Sequence, residues 1–136
     1  MDFANFGRVS FTRQGKVAQF ADYLSEDKFM TTKCESCGRS FFPPRQDCPY
    51  CISSDIEWVK VKGPGKLLAF TTVYYGPSGF ENDTPYTLGI AEFENGIKVL
   101  GRVSKNIDIK DIKIGMELKL IPVKLDNERV SYEMKP

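Results

Sequence analysis

Histidine is absent from this chain of 136 residues. That removes the commonest general base near neutral pH, and with it every Ser-His or Cys-His arrangement. Long apolar runs are also missing: nothing approaches the roughly 18 consecutive apolar residues that a membrane helix requires. Neither sign of charge dominates, since 19 Lys+Arg stand against 18 Asp+Glu. The net charge of +1 and a pI near 7.6 give no built-in attraction for polyanions, and no lysine or arginine run supplies one locally. No secretory leader, internal repeat or low-complexity segment is visible. The composition, 41% hydrophobic and 27% charged, reads as a soluble globular protein.

What is present is concentrated in one stretch, KCESCGRSFFPPRQDCPYC, which holds all four cysteines as C-x2-C-x10-C-x2-C. Two CxxC turns so close together can offer Cys34, Cys37, Cys48 and Cys51 to one metal ion at the corners of a tetrahedron, as Zn²⁺ prefers. Gly38 follows the first pair where such a turn needs a positive φ, and Pro49 stiffens the second. Two disulfides would need an oxidising compartment, whereas reduced, metal-bound thiols fit a cytoplasmic location. A thioredoxin-type pair explains one CxxC but not two, and a rubredoxin-type iron site normally separates its turns further. Four cysteine ligands leave no open coordination position, so the zinc is expected to be structural. No thiol then remains as a nucleophile, and no carboxylate, lysine or tyrosine pairing points to independent catalysis. Replacing Cys48 by Ser should unfold the ribbon while the remainder keeps a core of its own.

Around this stretch the pattern changes twice. In residues 1–14, Phe3, Phe6, Val9 and Phe11 show no period; such a tail either packs on the domain or docks on a partner. From Lys16 to Phe29, Val17, Phe20, Ala21 and Leu24 fall at i, i+3, i+4, i+7, which predicts a short amphipathic helix that needs a surface to lie on. Phe29–Thr32 should run as a strand into the first cysteine turn and Ile56–Val61 should close the ribbon, with Trp58 at its contact with the next unit. Between the turns, Phe41-Phe42-Pro43-Pro44-Arg45 is held extended by its prolines. One of the two phenylalanines can cover the metal.

Gly63-Pro64-Gly65 marks an internal boundary, so that 1–30 reads as tail and helix, 31–62 as ribbon and 63–136 as a β domain. Beyond it the period is two. Strands are predicted over Lys66–Tyr75, Tyr86–Glu94, Ile97–Val103, Glu117–Leu125 and Val130–Met134, with a hairpin at Asn95-Gly96 and a helical turn over Asp108–Lys113. In Glu117–Leu125 the apolar parity switches from Leu118/Leu120 to Ile121/Val123/Leu125, which predicts a bulge or bend beside Pro122. Five strands with a helical turn between the third and fourth match a small Greek-key barrel of the OB type. The fold class is therefore mainly β: a short helix, a rubredoxin-like zinc ribbon and a five-stranded OB barrel.

The order of helix, four-cysteine ribbon with FFPPR inside it, GPGKLLAFTTVYYGP and PYTLGIAEFENGIKVLGRV resembles the zinc-ribbon/OB-fold proteins known as "domain of unknown function thirty-five". The likeness runs from about Val17 to the C-terminus and rests most on the ribbon with Pro44-Arg45, on Phe70-Thr71, and on Pro85-Tyr86 with Glu94-Asn95-Gly96. It implies a small partner of a thiolase-fold enzyme, associated with acyl-CoA. Archaeal members bridge acetoacetyl-CoA thiolase and hydroxymethylglutaryl-CoA synthase. Bacterial ones serve as second subunits of thiolases or aldolases, including benzoylsuccinyl-CoA thiolase of anaerobic toluene breakdown, and the N-terminal stretch here is more similar to that type.

A CoA thioester offers an adenine face, phosphates and a long arm that needs a walled channel. The candidate contacts to CoA or a partner are Phe41, Phe42 and Arg45 in the insert, and Lys66, Phe80, Tyr86 and Arg102 in the barrel. Phe80 stands out because its loop has little core to enter, whereas aromatics on the first barrel strand, such as Phe70 and Tyr74, can equally be packing. Two other classes remain open. A single-stranded nucleic-acid module would use the barrel's aromatics but lacks a basic groove, and an electron carrier would hold coloured iron in the cysteine site.

Overall fold

The computed structural model describes residues 6–8, 16–126 and 128–136. Helix α1 spans Gln19–Ser25, preceded by a 3-10 turn at Lys16–Ala18. It buries Phe20, Ala21 and Leu24, the face its spacing predicts. It ends sooner than the pattern suggests, because Asp27 takes a positive φ of 62°. Lys28 N–H then donates to Tyr23 O at 2.8 Å and Asp27 N–H to Leu24 O at 3.1 Å, a closing motif that satisfies the last carbonyls.

Strands β1 (Met30–Cys34), β2 (Ser40–Phe41) and β3 (Ile56–Lys60) form an antiparallel ribbon in the order β2-β1-β3. β1 pairs with β3 from Met30↔Lys60 to Cys34↔Ile56, so the first cysteine sits at the end of a fixed ladder. The other strands, β4 (Gly65–Val73), β5 (Tyr86–Glu92), β6 (Lys98–Val103), β7 (Glu117–Lys124) and β8 (Val130–Lys135), close into a barrel in the order β4-β5-β6-β8-β7. β6 and β8 pair in parallel. This is the five-stranded OB arrangement, with the 3-10 turn Ile109–Asp111 between its third and fourth strands. Asn95 and Gly96 both have positive φ, 61° and 71°, within the three-residue turn Glu94–Gly96 that makes the hairpin between β5 and β6.

The predicted irregularity in β7 is not there. β7 pairs with β8 without a break from Lys119↔Lys135 to Lys124↔Val130, and the bulge lies instead in β4, between Leu67 and Ala69. The parity switch in β7 has another cause. Leu118 and Leu120 face the core, whereas Val123 and Leu125 line a cleft beside Phe6 and Phe80. Apolar residues therefore serve both faces of one regular strand.

Ribbon, helix and barrel share one core. Phe20, Leu24 and Phe29 are buried together with Leu67, Val99, Leu118 and Met134, with Phe42, Trp58 and Tyr132 packed against them. At the junction the rings of Phe20, Phe29, Phe42 and Tyr132 lie 5.0–6.3 Å apart, five of their six contacts edge-on, a geometry rings prefer over face-to-face stacking. Trp58 packs on Tyr23 of α1, with centroids 5.3 Å apart. Gly65 does more than turn the chain: a Cβ there would come within 2.6 Å of the Phe93 ring, so the barrel's first strand can approach that ring only without a side chain. In the N-terminal segment, Phe6 bridges to Val130 and stacks on Phe20 and Tyr132, while Phe3, Val9 and Phe11 lie outside the described residues.

Candidate metal centre and cleft

The two cysteine turns are built alike. In the first, Gly38 N–H donates to Cys34 O at 2.9 Å and Cys34 N–H to Arg39 O at 2.9 Å. In the second, Ile52 N–H donates to Cys48 O at 3.0 Å and Cys48 N–H to Ser53 O at 2.9 Å. Gly38 and Ile52 therefore occupy equivalent positions, and both have positive φ, 77° and 64°. The turns face each other so that all four Sγ atoms lie within 4.8 Å, with Cys34–Cys51 at 3.5 Å and Cys37–Cys48 at 3.6 Å. Four sulfurs at tetrahedral corners about 2.3 Å from a zinc ion would be about 3.8 Å apart. The donor set and its spacing fit that ion.

The backbone prepares the sulfurs for charge. Cys37 N–H points at Cys34 Sγ, and the N–H groups of Tyr50 and Cys51 point at Cys48 Sγ, at 3.4–3.5 Å. The Cys37 N–H lowers the Cys34 thiol below its ordinary pKa. Burial alone would raise Cys48, but the N–H groups of Cys51 and Tyr50 outweigh it and bring that thiol down to about 6. The Ser53 N–H pulls Cys51 down, yet Cys34, burial and the other two sulfurs prevail and push it up to about 12. Cys34 and Cys48, the first cysteine of each turn, are thus the readier thiolates, and Cys51 depends on a cation to lose its proton. Phe41 is buried against Cys34 and Cys48 and screens them from water.

The other sequence candidates separate into four places. Phe42 lies in the aromatic junction between ribbon and barrel. Arg45 is exposed, anchored by its backbone N–H to Thr32 Oγ1 at 2.9 Å. Lys66 is exposed on β4, paired in register with Glu92 on one side and Glu117 on the other. Phe80, Tyr86 and Arg102, by contrast, come together at one end of the barrel. The Arg102 guanidinium lies 4.6 Å above the Tyr86 ring, and Phe80 is 6.4 Å from the same ring.

Residues not singled out from sequence complete that cluster. Asp83, almost fully buried, holds Arg8 at 2.9 Å and Arg102 at 3.8 Å, and its carbonyl accepts from Lys105 Nζ at 2.6 Å. A cleft of about 270 Å³ opens beside them, walled by Phe6, Phe80, Val123, Leu125 and Tyr132, with Arg8, Arg102 and Glu133 at its edge. In the sequence Asp83 reads as one turn former among several. The only hint of its role was the pair of arginines, 75 residues before it and 19 after it, with no local rule to join them.

A five-stranded barrel joined to a ribbon that presents four sulfurs defines a zinc-ribbon/OB-fold protein. Two family models cover adjoining parts of the chain: the "ChsH2, rubredoxin-like zinc ribbon domain" over residues 21–57 and the "ChsH2, C-terminal OB-fold domain" over 58–121. A "DUF35 domain-containing scaffold protein" of Methanocaldococcus jannaschii is 32% identical over 113 residues, covering 76% of this chain and 78% of the relative. The chain belongs to this DUF35 family. The "Benzoylsuccinyl-CoA thiolase subunit BbsA" of Geobacter metallireducens is 26% identical over 106 residues, 76% of this chain and 70% of that one. A solved structure, "Ltp2-ChsH2(DUF35) aldolase", superposes with a TM-score of 0.78 at 21% identity over 93% of this chain and 98% of the other, a likeness of fold. No helix among the described residues is long and apolar enough to cross a membrane.

Proposed function

We propose that this chain is a non-catalytic, zinc-binding subunit that organises a thiolase-fold enzyme acting on acyl-CoA. The observation that carries the reading is the donor inventory: all four thiols converge on one metal centre and the chain has no imidazole, within a family whose relatives are a scaffold and a thiolase subunit. A thiolase brings its own nucleophile and base, so a companion needs only surface. The metal fixes the ribbon, and the aromatic junction fixes the ribbon against the barrel.

The cleft beside Phe80, Tyr86 and Arg102 is the favoured place for contact with the CoA thioester or with the enzyme around it. Its volume is smaller than that of a typical small-molecule site, which suits a wall completed by a partner. Asp83 pairs with both arginines, Arg8 the more closely, and two cations against one carboxylate leave positive charge at the cleft, with Arg8 the more exposed of the two toward a phosphate. Phe41 and Phe42, packed inward, contribute by shaping the ribbon, whereas Arg45 and Lys66 would meet only what approaches from other sides. Identity to the scaffold relative exceeds identity to the thiolase subunit, so a bridging role between two CoA enzymes suits the chain as well as a single-enzyme role.

The test is co-expression with a thiolase-fold enzyme encoded beside this chain. The expected result is a stable complex whose thiolysis rate and thermal stability fall when this subunit is withheld. An enzyme equally active and stable alone would refute the proposal, as would thioester turnover by the isolated chain.

A nucleic-acid role fares worse on the barrel itself. The outer face of β5 and β6, which OB proteins use for single strands, presents Leu88, Ile90 and Leu100; its one ring, Tyr86, is buried under its one arginine, Arg102. Salt-insensitive or absent binding to a mixed oligonucleotide is therefore expected.

A further inference from the structure

We infer that the outer edge of β4 is where a second copy of this chain pairs. β4 meets β7 only at Gly65↔Leu118 and Lys66↔Glu117. Leu67 still exchanges bonds with Gly115 and Met116, at 2.7 and 3.0 Å. Beyond Leu67, among the described residues, one side of β4 pairs with β5 as far as Val73↔Tyr86 and the other side pairs with no strand. Alternate residues of 68–73 therefore turn an N–H and a C=O outward, the template that another strand needs.

Soluble proteins blunt such an edge with lysine, proline or inward charges. Here the run from Leu67 to Gly76 (LLAFTTVYYG) contains none of these. Its side chains are uncharged and, beyond buried Leu67, largely open to water: Leu68 and Phe70 are exposed, Tyr74 is 62% and Tyr75 95% exposed. On the other face from Phe70, which pairs with Gly89, exposed apolar residues also cross the sheet, since Ala69 pairs with Ile90 and Ile90 with Leu100, both exposed. An uncharged, β-rich edge flanked by exposed apolar side chains is a surface that another strand covers.

The occupant follows from self-complementarity. Antiparallel pairing of two β4 edges about Thr71 sets Ala69 opposite Val73 and Phe70 opposite Thr72, with no charge facing a like charge across the two-fold axis. It also carries Lys66 of each copy toward Gly76 of the other, beside Tyr75 and the loop that bears Glu81, so a cation meets aromatic faces and a carboxylate. The charges that bound the run thus match under this symmetry. The pairing is independent of any reading of what the chain does for an enzyme, and the cleft beside Arg102 plays no part in it.

Sedimentation of the zinc-loaded chain at about 5 to 200 µM tests this over the range where a micromolar dissociation constant shows. The expected result is a monomer–dimer equilibrium. Thr71→Lys and Thr71→Glu, at an exposed position on the axis, should each weaken it at least tenfold while zinc content and melting temperature stay unchanged, and mixing the two variants should restore dimers. Three outcomes overturn the inference: a wild-type chain monomeric throughout, a dimer indifferent to both variants, or a monomer whose β4 amides become protected only when a partner enzyme is added.

Discussion

Ile52 stands where the first turn has Gly38, and it should be replaceable with profit to the fold. Its φ of 64° lies in the left-handed region, which costs an L-residue about 1–2 kcal/mol, with a β-branched side chain at the upper end. The side chain recovers little of this, because it is 82% exposed. Full burial of an isoleucine is worth about 1.5–3 kcal/mol, so the covered fifth amounts to roughly 0.4 kcal/mol. Glycine at this position also frees the unfolded chain, at a cost of about 0.5–1 kcal/mol. The balance makes Ile52→Gly stabilising by a few tenths to roughly 1 kcal/mol. The reverse exchange, Gly38→Ile, should destabilise by about 1–2 kcal/mol, since it places the same strain in the partner turn. Urea unfolding of the zinc-loaded protein measures both, and the rate of zinc loss to a chelator should move in the same order. A destabilised Ile52→Gly with an unharmed Gly38→Ile would refute the reasoning, for it would mean that the two turns are not equivalent.

Cys48→Ser should abolish stoichiometric zinc binding and amide protection across β1–β3, because metal ligation supplies on the order of 10 kcal/mol to such ribbons; retention of one zinc per chain would contradict the four-sulfur site. Tyr132 donates from Oη to Leu100 O at 2.6 Å, and burial pushes its pKa up to about 12. The folded state thus holds the neutral phenol, so the contribution is complete below the unfolded value near 10 and is lost as pH rises toward 12. Tyr132→Phe should cost about 1 kcal/mol at neutral pH but lose less stability than wild type between about pH 10 and 12, and parallel pH profiles would count against this. Gly65→Ala should destabilise by about 1–3 kcal/mol in urea titration, since its Cβ would press on the buried Phe93 ring; an unchanged midpoint would show that the ring can yield.

What the sequence made legible is what short-range chemistry dictates. Four cysteines in two CxxC turns specify their own convergence, Asn95-Gly96 specifies a hairpin, and period-two runs specify strands within a residue or two of where they lie. What stayed hidden depended on distant residues. The apolar switch in β7 could not reveal that Val123 and Leu125 face a cleft with Phe6, more than a hundred residues away, so a bulge looked necessary where none exists. Nor could FFPPR tell which phenylalanine screens the sulfurs and which enters the junction. One signal was available and unused: aligning the two turns sets Ile52 against Gly38 and exposes the strained position by inspection.

The junction changes how metal and barrel relate. Read from sequence alone, ribbon and barrel are separate cores on either side of Gly63-Pro64-Gly65. In the fold, Phe29 and Phe42 leave the ribbon to pack against Tyr132 of β8 and Phe20 of α1, each at 5.0–5.9 Å. Phe29 directly precedes β1, whose far end carries Cys34, and Phe42 directly follows β2, which is held to β1 through Thr32↔Phe41. Releasing the metal frees the cysteine end of this ladder, and both rings lose the strands that aim them. The barrel then keeps its own hydrogen bonds but loses the aromatic cover at one end. A zinc ion in this site would therefore act at a distance: by fixing two turns it would fix two phenylalanines, and through them the angle between ribbon and barrel.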